Sequence, residues 1–199
     1  VIVELLIPFF LAFEGRRPQA RELVVLAVMC ALAVAGRVAI PIPSFKAIFG
    51  IIMIAGIAFG PESGFLVGAI SALASNFFYS QGPYTPWQMM AYGAGGMLAG
   101  FVFAEGRLPR KPVVMGIFGF LAVTFFVGPL LDTCSVFLVM SRITLKGAMA
   151  FYISGFPVNL RQAVATAIVL LVLGKPLLEK LDRIKTKYGI LDDEGGKET

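Results

Sequence analysis

The sequence contains no histidine. That absence removes the commonest general base, the serine-type triad and most zinc sites. Cysteine is scarce: Cys30 and Cys134 each sit in or beside an apolar run, show no metal or redox spacing, and read as small core residues. The chain also lacks a close carboxylate pair, an HExxH pattern, and a Gly-rich phosphate loop ending in Lys-Ser or Lys-Thr. An enzyme is therefore not expected, nor is a resident metal, cofactor or ATP site. Charge is low as well, at 15% of residues against about 25% in a soluble domain. No repeat is evident, and no Asp or Glu is read inside the spanning segments beyond the first apolar run. Ion-coupled carriers commonly have both features.

What the chain has instead is grease. Of its 199 residues, 58% are hydrophobic, and the mean hydropathy is +0.85. Eighteen Phe and 22 Gly suit closely packed membrane helices. The first run, "VIVELLIPFFLAF", is shorter than the ~20 residues a spanning helix needs, so residues 1–15 read as a partial N-terminal hydrophobic segment. It has no basic region before it and no small-residue cleavage site after it, so it does not read as a signal peptide. Six apolar segments follow, at about 21–40, 45–60, 64–79, 87–104, 112–131 and 148–174, each bounded by Pro, Gly or charge. Residues 16–174 thus form a six-helix transmembrane domain. Residues 175–199 read as a cytoplasmic tail, an amphipathic helix and then a disordered acidic end.

The basic residues set the orientation. Twelve of the seventeen lie in "EGRRPQAR", in "AEGRLPRKP" and in the tail, which six helices place on one side. By the positive-inside rule that side is cytoplasmic, in a multi-pass plasma-membrane protein with its C-terminus inside. The net charge of +5 is then a matter of topology, and nucleic acid is not expected as a partner. Three connections face outward: 38–46 ("VAIPIPSFK"), 79–87 ("YSQGPYTPW") and 131–147 ("LDTCSVFLVMSRITLKG").

The second outer connection carries the densest recognition chemistry. Pro83 and Pro86 stiffen it and Gly82 permits a tight turn. Tyr84 and Trp87 offer broad surfaces with polar handles, while Gln81 and Gln88 add amides. An interfacial aromatic belt accounts for the rings alone; a stiff loop lining a small-molecule pocket accounts for the whole set. Asn76 approaches this loop from the preceding segment, and Asn159, Arg161 and Gln162 follow Pro157 in the last. An arginine deep in an apolar segment is a functional candidate, with a tie to helix carbonyls as the structural alternative. Arg37, near the outer end of its segment, reads as a snorkelling side chain. In the first core segment Ala27, Ala31, Ala35 and Ala39 recur every four residues and form one smooth ridge. Such a ridge either packs inside the bundle or docks a partner helix.

Over residues 16–190 the chain resembles the substrate-binding S component of energy-coupling factor (ECF) transporters. The resemblance rests on "RRPQARELVVLAVMCALAVAGR", on "FKAIFGIIMIAGIAFGPESGFLVGAISALASNFFYSQGPYTPWQM" and on "KPLLEKLDRIKTKYG". These stretches look like the cobalamin-type subgroup. The resemblance implies an all-α six-helix S-component bundle, with residues 1–15 as a partial extra helix. It implies high-affinity capture of a vitamin from outside and docking through Ala27, Ala31 and Ala35 onto an EcfT-like membrane coupling subunit. Two cytoplasmic ATPases, which use the ATP, drive that subunit, and the S component topples in the membrane. The expected substrate-binding residues are Asn76, Gln81, Tyr84, Trp87, Gln88, Asn159 and Arg161. Cobalamin is the expected ligand; thiamin, hydroxymethylpyrimidine and riboflavin are alternatives, as is a structural membrane subunit with no small-molecule ligand.

Overall fold

The structure, a computed structural model, describes residues 20–40, 42–43, 45–103 and 106–189. The expected N-terminal hydrophobic segment, and the acidic end of the tail after residue 189, lie outside the described residues. Six continuous helices run antiparallel: α1 (Ala20–Val38), α2 (Ile48–Phe59), α3 (Pro61–Tyr79), α4 (Thr85–Phe103), α5 (Pro112–Val139) and α6 (Leu145–Tyr188). The described residues contain no strand. Helices α5 and α6 are long and apolar enough to cross a membrane.

Helix α2 is the core. Its sequence, "IFGIIMIAGIAF", is apolar all round, and all twelve residues are buried. At ~1.5 Å per residue it is too short to cross a bilayer alone, but a helix enclosed by others need not meet lipid. Both of its ends are tended. Gln162 Nε2 donates to the Lys46 carbonyl at 2.7 Å just before it. Lys185 Nζ and Arg110 Nη2 donate to the carbonyls of Ala58 (2.7 Å) and Ile57 (3.1 Å), placing cations at the negative end of the helix dipole.

Helices α2, α3 and α4 meet through glycine. A Cβ at Gly64 would lie 2.6 Å from the Gly96 carbonyl oxygen, and a Cβ at Gly100 2.6 Å from Pro61. Only a residue without a side chain allows such backbone approach, the means by which helices associate where no hydrophobic force acts between them.

Two helices continue past the ends expected of them, for one physical reason. The expected outer connection 131–147 is helical at both ends and shrinks to residues 140–144. The expected break at Gly174 is absent, so the amphipathic stretch 175–188 continues α6. In both helices a proline stands where an end was expected, Pro129 and Pro176. In both, a single wide π-helical turn, Val123–Val127 and Leu170–Gly174, ends two residues earlier. A π turn shifts the hydrogen-bond register by one residue, as in the Gly128 N–H to Val123 carbonyl bond. The missing proline N–H is thereby absorbed without ending the helix.

Candidate functional site

At the end of the bundle away from Arg21, Arg110 and Lys185, the helices α4, α5 and α6 and the turn before α4 line an open cavity of about 440 Å³. Leu131, Leu138, Val139 and Val158 form an aliphatic wall, and Tyr84, Gln88, Asp132, Ser135 and Asn159 supply polar groups. Apolar walls with a few convergent polar groups are the usual make-up of a small-molecule site.

The polar centre of this cavity is an amide–carboxylate pair. Asn159 is buried, and its Nδ2 donates to Asp132 Oδ2 at 2.7 Å. Two glycines make room for the pair. A Cβ at Gly128 would lie 2.5 Å from Asn159 Cγ, and a Cβ at Gly155 would lie 2.7 Å from Asp132 Cγ. The carboxylate stands within the apolar helix α5, which corrects the expectation that no acidic residue lies inside a spanning segment. Glu22, buried in α1 near Ser63, is a second exception, at the basic end. A carboxylate in such a position is costly unless partnered, and here Asn159 partners it.

The neighbouring wall is a second network. Asn76 is fully buried at the end of α3. Its Nδ2 donates to Gln88 Oε1 at 2.8 Å and to Thr85 Oγ1 at 3.2 Å, and its Oδ1 accepts from Arg37 Nη1 at 2.9 Å. Arg37 Nη1 also donates to Ser75 Oγ. The guanidinium carbon lies 4.9 Å from the Tyr79 ring centre and 5.6 Å from that of Tyr92, within cation–π range. Arg37 therefore turns into the bundle and does not snorkel.

Tyr84 lines the cavity, and its hydroxyl donates to the Ser80 carbonyl at 2.8 Å. That bond secures a strained turn, because Ser80 has φ 83°, rare for a residue with a side chain. Trp87 and Gln88 belong to the first turn of α4 and not to a loop. The Trp87 Nε1 donates to the Leu130 carbonyl at 2.6 Å, and its ring lies 5.8 Å from that of Phe137, tying α4 to α5. Gln81 is exposed and clips the end of α3, donating to the Leu73 carbonyl at 3.0 Å. Arg161 is exposed on α6, apart from the cavity-lining residues. The structure thus brings Tyr84, Gln88 and Asn159 together, with Asn76 behind them. Asp132 and Arg37 are the additions that the sequence reading did not make.

On α1, Ala27, Ala31 and Ala35 are all exposed, which rules out packing of the ridge inside the bundle. Beside them an apolar groove of about 280 Å³ runs between α1 and α3, lined by Leu23, Leu26, Ala27, Cys30, Leu66 and Ile70.

A family model described as "ECF-type riboflavin transporter, S component" matches residues 18–179. No curated protein and no solved structure matches the chain. The match covers all of the first five helices and most of the sixth, and it supports the riboflavin type and not the cobalamin subgroup. The chain is accordingly a membrane-embedded transport subunit and not an enzyme: it belongs to the S component family of ECF-type riboflavin transporters.

Proposed function

We propose that the chain captures riboflavin, or a close flavin, in the cavity between α4, α5 and α6. The observation that carries this reading is the Asp132–Asn159 pair set against an aliphatic wall. Riboflavin has the matching asymmetry. One edge of its tricyclic ring is a dimethylbenzene, the opposite edge carries an imide N–H between carbonyls, and the ribityl chain is a row of hydroxyls. A carboxylate accepts from the imide or the hydroxyls, and the Asn159 and Gln88 amides serve carbonyls and hydroxyls alike. At about 440 Å³ the cavity is near the low end of the ~300–1,000 Å³ typical of ligand sites. That size suits a tricycle, whereas a corrin is several-fold bulkier.

In this reading the cavity end faces outward and the basic end, with the C-terminus, is cytoplasmic. The exposed ridge Ala27, Ala31 and Ala35, with the groove beside it, is the docking face for the membrane coupling subunit. Two partner ATPases then supply the energy, and the chain itself needs no cofactor.

Titration of the purified chain with riboflavin, following loss of flavin fluorescence, tests the ligand, with cobalamin and thiamin in parallel. Saturable riboflavin binding is expected, weakened at least tenfold in Asn159→Ala, which leaves Asp132 without its amide. A corrin-only response, or no response to any vitamin, overturns the reading; the latter points to a structural subunit. Replacing Ala31 by Leu tests the docking face: uptake by the assembled transporter should fail while riboflavin binding by the isolated chain persists.

A further inference from the structure

The two faces of α1 belong to different tasks. Ala27, Ala31 and Ala35 are exposed, while Arg37, in the last turn of the same helix, reaches inward to Asn76. Asn76 in turn holds Gln88, and Gln88 lines the cavity. Two side-chain hydrogen bonds, of 2.9 and 2.8 Å, therefore join the helix that carries the ridge to the wall of the cavity. The chain of contacts is directional in its chemistry. The Asn76 oxygen can face only a donor, which Arg37 supplies; this fixes the amide's orientation, so its nitrogen points at Thr85 and at the Gln88 oxygen. The Gln88 nitrogen is thereby left as the group free to turn toward a ligand carbonyl or hydroxyl. Tyr79 and Tyr92 fix the guanidinium over their rings, and the Tyr79 hydroxyl donates to the Arg37 carbonyl at 3.0 Å. The arginine is thus held by rings, a hydroxyl and an amide together.

Resting on the riboflavin reading, we propose that Arg37 is a positioning residue. It sets the Gln88 amide through Asn76, so that displacement of α1 at the docking face is felt in the cavity as loss of a ligand-binding group. Binding energy at one face can alter affinity at the other only if the two states differ in contacts, and in this proposal the Arg37–Asn76–Gln88 network supplies the difference.

The test is a double-mutant cycle on riboflavin affinity in the purified chain, using Arg37→Gln, Gln88→Ala and both together. Each single change should weaken binding about tenfold, and the pair should be no weaker than the worse single, because both remove one interaction. Asn76→Asp separates positioning from folding. It keeps and strengthens the Arg37 partner but removes the donor to Gln88, so melting should hold while affinity falls about tenfold. It also serves if Arg37→Gln does not fold. In the assembled transporter the wild-type chain should lose affinity relative to the isolated chain, and Asn76→Asp should lose little more. Additive effects of Arg37 and Gln88, or wild-type affinity in Asn76→Asp, overturn the proposal. Absence of riboflavin binding by the wild-type chain overturns the ligand reading instead.

Discussion

Helices α2, α3 and α4 and the outer part of the α5–α6 hairpin are built on opposite terms. In the first group backbone touches backbone. Gly56, Gly64, Gly68, Gly96 and Gly100 each occupy a place where a Cβ would run into another helix's main chain. In the hairpin Phe137, Val139, Leu145, Met149, Ile153 and Phe156 are exposed, and α5 there packs on α6 and on the first turn of α4. The polar pair of the cavity, Asp132 and Asn159, lies at the base of this looser region. A close-packed interior has few alternative arrangements, whereas an element with few buried contacts can shift at low cost. The first group is thus suited to a scaffold, and the second to admitting and enclosing a ligand.

The largest expected effect comes from breaking the scaffold. In Gly96→Leu the new Cβ meets the Gly64 carbonyl and stands 2.7 Å from Ile52 Cγ2, and a backbone carbonyl cannot swing aside. Overpacking of this kind costs about 3 kcal/mol, so the variant should melt far lower or fail to accumulate in detergent. Wild-type melting would mean that α3 and α4 slide as freely as the hairpin, and the comparison would lose its basis.

Gly155→Ala, on the hairpin side, should separate binding from stability. Its Cβ would lie 2.8 Å from Asp132 Oδ2, the oxygen that accepts from Asn159. The carboxylate must move, and riboflavin affinity should fall about tenfold. Yet an alanine within a helix is better than glycine by ~0.5–1 kcal/mol, which offsets the contact, so melting should change little. A parallel loss of melting and affinity would show that the pair holds the fold and not the ligand.

The scaffold was more legible in the sequence than the site. Six apolar segments follow from hydropathy and length; that the second of them is the enclosed centre does not. Asp132 was hidden because Pro129 and the polar run "DTCS" look like the start of a loop. The helix survives them through the π turn before Pro129 and through hydroxyls that bond back along it. Thr133 Oγ1 donates to the Pro129 carbonyl at 2.7 Å and Ser135 Oγ to the Leu131 carbonyl at 3.5 Å. Such back-bonding satisfies a polar side chain within its own helix and leaves no mark in a hydropathy profile. Arg37 was hidden for another reason. Near the end of an apolar segment an arginine reads as reaching for water, and its partners Ser75 and Asn76 lie on another helix. Asn76 and Asn159 were legible because a buried amide in an apolar helix needs a partner, whatever that partner is.

Trp87 bridges the two regions and gives the smallest expected effect. It stands in the first turn of α4, on the scaffold side, yet its indole donates to Leu130 and packs on Phe137, both in α5. The cavity lies between these two helices and α6. Trp87→Phe keeps a ring against Phe137 and removes one hydrogen bond, so stability should drop by about 1 kcal/mol. Riboflavin affinity should fall only a few-fold, less than in Gly155→Ala, because the cavity's polar pair is untouched. A loss larger than that of Gly155→Ala would mean that the indole itself meets the flavin. Trp87 would then join Gln88, its neighbour in the first turn of α4, in the binding surface, and the site would extend further into the scaffold than the cavity lining alone shows.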